Sequence, residues 1–213
     1  MQENIIVRTT EFVQLILRQY IAEGDRVLDA TMGNGLDTLA LARMVGIHQG
    51  KGQVYAFDVQ QEALDATGEL LKKNGYEYFT VKDHHRSIEN IVPDAAGSIY
   101  LYLDSHANLD RYIQGQLEAA VFNLGYLPGG NKEITTEAEA VLAAVKKTAT
   151  LLKQNGLIAI VLYPGHQRGK VEKIMLLDYM KLLLPSAFHA ELIETVNQPE
   201  DAPCIALITR KKG

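Results

Sequence analysis

Apolar residues in this chain follow two alternating rhythms. Short runs rich in β-branched and aromatic residues predict strands: RVLDA, QVYAFD, YFTVK, SIYLYLD, AAVFN, LIAIVLY, AELIETV and CIALITR. Longer segments with apolar positions three and four apart predict helices between them. This alternation gives an α/β fold on a doubly wound, mostly parallel sheet. In TTEFVQLILRQYIAEG the spacing puts Phe12, Leu15, Ile16 and Tyr20 on one face. QQEALDATGELLKKNG closes at Gly75 with lysines in its last turn. TTEAEAVLAAVKKTATLLKQNG opens with a capping box, Thr136 to Glu139, and stops at Gly156.

The tail breaks the pattern. AELIETVNQPEDAPCIALITR holds two strands joined by a loop of Pro, Asn and Asp that is too short for a crossover helix, so it predicts an antiparallel hairpin closing the sheet. A parallel sheet ended in this way resembles the Rossmann-like class I methyltransferases, whereas dinucleotide-binding dehydrogenases more often continue with parallel strands. One strand exceeds the simple topology. DHHRSIENIV and DSHANLDRYI share an Asp, a His two residues on and similar spacing afterwards, which places a local insertion near residues 76–98.

Composition narrows the class. The 213 residues, 47% hydrophobic and 22% charged, suit one domain spanning 1–213. No apolar run approaches the roughly 18 residues of a membrane span, and MQENIIVRTT lacks a basic segment followed by an apolar one, so a cytoplasmic protein without membrane contact is expected. A net charge of −5 argues against coating DNA or any nucleic acid non-specifically, yet leaves basic patches at 168–173 and 210–212. The single cysteine, Cys204, sits in an apolar run and reads as a buried structural thiol.

The candidate chemistry gathers at strand ends. VLDATMGNG runs a strand into a turn with Gly33, Asn34 and Gly35, where backbone N–H groups can approach a ligand. GxGxxG lacks its third glycine here, and a carboxylate at Asp29 suits an ammonium better than a pyrophosphate. Asp58, ending the second strand, is placed to accept both hydroxyls of a ribose. Together they point to S-adenosylmethionine, with Thr31, Asp37, Thr38 and Gln60 around the same turns and Asn123 beside its methyl group. Asn123 ends a further strand before a loop with Tyr126; an amide there can align an amine, and a ring can shape its pocket. LYPGHQRGKVEK adds Tyr163 and His166, the latter able to take a proton or contact phosphate, and Arg168 and Lys170, suited to RNA backbone. No metal is called for.

The combination of DATMGNGLDT, VYAFDVQ, FNLGYLPGG with a following TT, and Tyr163-Pro-Gly-His166 ahead of Gly169, Lys170 and Glu172 resembles the YtqB/MnmM family of class I RNA methyltransferases over nearly the whole chain. That resemblance implies methylation of a tRNA wobble uridine, converting 5-aminomethyl-2-thiouridine to its 5-methylaminomethyl form with S-adenosylmethionine as donor. It also implies a homodimer and a tRNA anticodon stem-loop as partner. By spacing to FNLGYLPGG, DSHANLDRYI matches the family's segment after the third strand, so Asp104 and His106 inherit a cofactor-side role. Pro164 departs from the pattern, standing where many relatives carry histidine. Methylation of rRNA or of a small-molecule amine, and a non-catalytic cofactor-binding RNA module, are the alternatives.

Overall fold

A computed structural model of the chain describes residues 8–81, 95–125 and 138–212. Among the described residues eight strands form one sheet: β1 Arg26–Asp29, β2 Gln53–Asp58, β3 Phe79–Val81, β4 Ser98–Leu103, β5 Leu117–Leu124, β6 Leu152–Leu162, β7 Phe188–Ile193 and β8 Cys204–Arg210. Their order is β3-β4-β2-β1-β5-β6-β8-β7. The first six pair in parallel, and β8 runs antiparallel to both β6 and β7, closing the sheet with the hairpin that the tail predicts.

Alternation along the central strands divides the core in two. Val27, Val54, Ala56, Ala119 and Val121 face helices α1 (Thr9–Tyr20), α2 (Leu36–Met44) and α3 (Gln61–Lys73). Leu28, Tyr55, Phe57, Ala120 and Phe122 face a 3-10 helix at His106–Arg111, α4 (Ala138–Leu151) and α5 (Gln167–Leu182). Strands covered on both sides read as nearly unbroken apolar runs, which explains their clarity in the sequence.

Three expectations change. In α1 the centre of the buried face is Val13 and Leu17, with Phe12 and Ile16 beside them, while Leu15 and Tyr20 are each 41% exposed. The helix packs about one position out of phase with the apolar stripe because it lies over β5 and β6, whose side chains set the contact. α4 ends at Leu151 rather than Gly156, since Leu152 already pairs with Leu117 in the sheet. The tail's first strand runs Phe188–Ile193, leaving Glu194 to Val196 in the loop.

The extra strand is β3, a short edge strand against β4. β4 itself pairs with β2, so Asp104 follows the strand next to β2. Asp83, DHHRSIENIV and the Thr136 half of the capping box lie outside the described residues.

Candidate active site

Parallel strands deliver their carboxyl ends to one edge of the sheet, and where β1 and β5 adjoin, the helices that follow them, α2 and α4, lie on opposite faces, leaving a crevice. A cavity of about 620 Å³ opens there, lined by Thr31, Gly33 and Asn34 after β1, Asp58 and Gln60 after β2, Asn123 of β5, and Tyr163 and His166 after β6. Asp37 lines it from the first turn of α2.

The glycine turn is built for this place. Gly33 and Gly35 have φ of 47° and 79°, in the left-handed region that glycine adopts without strain. A Cβ on Gly35 would stand 2.9 Å from the Thr67 backbone, so α3 packs directly on the turn. Thr67 also donates its hydroxyl to the Gly33 carbonyl at 3.0 Å.

Asp58 holds the other side of the turn. Its carboxylate accepts the N–H of Gly33 at 3.1 Å and of Gln60 at 3.0 Å. Burial raises its pKa, and those backbone donors partly offset that cost.

Asp29, expected at the cofactor, braces the turn. It is fully buried, one oxygen accepting the Thr31 N–H at 3.1 Å and the other the Thr38 hydroxyl at 2.6 Å. Burial, and after it the charge of Asp37, push its pKa well above the usual carboxylate range. Thr38 is buried with it. Neither residue, nor Gly35, lines the cavity; all three shape the turn that does.

Asp104 and His106 also lie outside the cavity wall. The Asp104 carboxylate accepts hydrogen bonds from Asn108 at 2.9 Å and the Tyr112 hydroxyl at 2.8 Å. His106 Nδ1 meets the Ala30 carbonyl at 3.0 Å, an acceptor, so Nδ1 carries the proton. Burial lowers the His106 pKa to about 4. His106 thus ties the 3-10 helix to the end of β1, and Asp104 ties it to the end of β4.

Asn123 is fixed from three directions. Its backbone N–H donates to Thr31 Oγ1 at 2.7 Å, its amide nitrogen donates to Asp37 Oδ2 at 3.3 Å, and its amide oxygen accepts the Tyr163 hydroxyl at 3.0 Å. Tyr163 has a raised pKa, from burial first and then the charge of Asp37, so it keeps its proton for that bond. Tyr126 lies outside the described residues.

His166 lines the cavity from the N-terminus of α5. Its Nδ1 accepts the N–H of Gly169 at 3.1 Å and caps α5. With Nδ1 accepting, the neutral ring carries its proton on Nε2, a hydrogen-bond donor. Gly169 is required by close approach, since a Cβ would fall 2.1 Å from the Tyr163 carbonyl oxygen. Arg168 and Lys170 are exposed on the first turn of α5.

The sequence reading missed Gln14 of α1, whose amide donates to Asp37 Oδ1 at 2.8 Å, and Asp201 and Pro203, which line the cavity from the β7–β8 loop. No local motif marks any of them; only the packing of α1 and the tail hairpin brings them here.

The sheet order, hairpin and crevice define a class I methyltransferase fold. The sequence profile of the family described as "Putative rRNA methylase" matches residues 54–209, and the chain belongs to that family. A crystal structure of a putative rRNA-methylase from Clostridium thermocellum superposes with a TM-score of 0.80 at 30% identity, covering 99% of each chain. That of SMU.1697c from Streptococcus mutans, a putative methyltransferase in complex with SAH, superposes with a TM-score of 0.76 at 32% identity, covering 95% of this chain and 98% of that one. An Arabidopsis thaliana protein named tRNA (mnm(5)s(2)U34)-methyltransferase, chloroplastic, is 37% identical over 175 residues, 78% of this chain and 56% of that protein. The chain thus spans little more than half the length of that curated relative. Fold and family are those of S-adenosylmethionine-dependent methyltransferases. Among the described residues no helix is long and apolar enough to cross a membrane.

The cavity residues fit S-adenosylmethionine. Asp58 offers a carboxylate at the end of β2 for ribose hydroxyls, Met32, Leu36 and Val59 offer apolar surface, and Asn34 and Gln60 offer amides. Bound there, it would supply an electrophilic methyl group.

Proposed function

We propose that this protein is a tRNA methyltransferase that methylates the aminomethyl nitrogen of wobble 5-aminomethyl-2-thiouridine. The observation that carries the reading is the threefold fixing of Asn123 at the cavity edge. An amide oxygen held so firmly, with a second lone pair beyond the one Tyr163 uses, can receive an amine N–H and aim the nitrogen lone pair. The name of the Arabidopsis thaliana relative supports the same nucleoside.

In this reading Thr31, Gly33, Asn34, Asp58 and Gln60 hold the cofactor, and Asn123, Tyr163 and Tyr126 serve the acceptor. Arg168 and Lys170 take phosphates of the anticodon stem-loop, so binding weakens as salt rises. A homodimer and a cytoplasmic location belong to the same reading, the first checked by light scattering in solution and the second by fractionating cells.

The test is to incubate the protein with methyl-labelled S-adenosylmethionine and tRNA lacking the final wobble methyl, then identify labelled nucleosides by mass. Label in 5-methylaminomethyl-2-thiouridine is the expected result. Label elsewhere in tRNA or only in rRNA moves the target, and transfer only to free amines replaces the reading.

A further inference from the structure

We infer that Asp37, placed with the cofactor by the sequence reading, is instead the anionic anchor of the acceptor amine; this rests on the function proposed above. One carboxylate oxygen is held by Gln14 from α1 at 2.8 Å, and the other reaches the Asn123 amide at 3.3 Å. Asp37 lines the same cavity as Asn123 and Tyr163. One such contact leaves each carboxylate oxygen further acceptor capacity. His166, whose Nδ1 is committed to Gly169, and Tyr163, which donates to Asn123, do not supply that acceptor.

The chemistry needs an anion there. Once the bound ammonium has released a proton to solvent, the amine lone pair forms the new N–C bond while the electron pair of the breaking S–C bond returns to sulfur, which leaves as the neutral thioether, so positive charge passes from sulfur to nitrogen. A fixed carboxylate beside the nitrogen stabilises the charge where it appears. An oxygen nucleophile that has lost its proton would be repelled by the same carboxylate, so the site selects an amine. Asp37 faces titratable groups from two places, Asp29 of β1 and Tyr163 just after β6; the amides from α1 and β5 are neutral.

The test compares wild type with Asp37→Asn in three measurements. In equilibrium binding, wild type should prefer an anticodon stem-loop carrying the aminomethyl group over one with plain uridine by about 10- to 100-fold, and the variant should lose that preference. S-adenosylhomocysteine affinity should stay within about threefold between the two proteins, whereas tenfold weakening would return Asp37 to the cofactor and overturn the proposal. In kcat against pH, the midpoint should fall in Asp37→Asn, because a carboxylate beside a bound amine holds its ammonium form and raises that midpoint. An unmoved midpoint also overturns it. Should the variant melt early, the wild-type preference decides alone, and its absence sinks the assignment. If wild type transfers no methyl to the aminomethyl tRNA, the functional reading itself has failed; if wild type transfers and the variant keeps both turnover and preference, only Asp37 is misassigned.

Discussion

The Thr31 hydroxyl accepts the backbone N–H of Asn123 at 2.7 Å, linking the turn after β1 to the end of β5. Half of the cavity wall is thereby referenced to the other half. Thr31→Val removes the acceptor and leaves a half-buried N–H unpaired, at a cost of about 1–3 kcal/mol. We expect a lower melting temperature and a larger fall in kcat than in cofactor affinity, measured by thermal melts, steady-state kinetics and calorimetry.

Tyr163→Phe deletes one hydroxyl and keeps the ring. Asn123 loses the bond to its oxygen while Asp37 still holds its nitrogen. Turnover should drop roughly 2- to 10-fold with S-adenosylmethionine binding nearly unchanged, as expected for one neutral hydrogen bond. An equal fall in cofactor affinity would place the hydroxyl on the cofactor.

Gly35→Ala meets two obstacles, a φ of 79° and a Cβ 2.9 Å from the Thr67 backbone. Strain and overpacking together cost roughly 2–5 kcal/mol. A thermal melt should fall by roughly 5–15 °C; a wild-type melting temperature would mean that α3 yields easily.

His106 makes acid stability fall. Its folded pKa of about 4 lies below the ordinary histidine value of 6.5, so the unfolded state binds its proton first. The neutral buried ring supports the fold fully above about pH 6.5, and that support is lost as pH falls toward 4. The loss is on the order of 3 kcal/mol. Asp29 acts in the opposite sense, since its raised pKa favours the fold at lower pH and loses that contribution as pH rises. His106→Gln should flatten the dependence of unfolding free energy on pH between about 4 and 6.5, whatever it does to the absolute value; an unchanged slope would contradict a buried neutral ring.

How much of this was legible in the sequence follows from what each residue depends on. Strands buried on both faces leave continuous apolar runs, so the order of elements, the tail hairpin and the strand-end positions of Asp58 and Asn123 could be read directly. Asp29 could be located but not oriented, because only the folded turn shows Thr31 and Thr38 taking both of its oxygens. Gln14 left no trace, since its partner Asp37 lies 23 residues away and the helix carries no motif. The misjudged face of α1 has a similar origin: an amphipathic stripe gives a direction, and the neighbouring strands decide which part of it is buried.

The central claim is that Asn123 positions the amine and leaves the cofactor to other residues. The measurement that tests it most directly is methyl transfer by Asn123→Ala under single-turnover conditions, paired with its affinity for S-adenosylhomocysteine. The account predicts transfer to aminomethyl tRNA reduced by about 100-fold or more, with cofactor affinity within about threefold of wild type. Transfer at the wild-type rate, or a loss explained entirely by weaker cofactor binding, would contradict it.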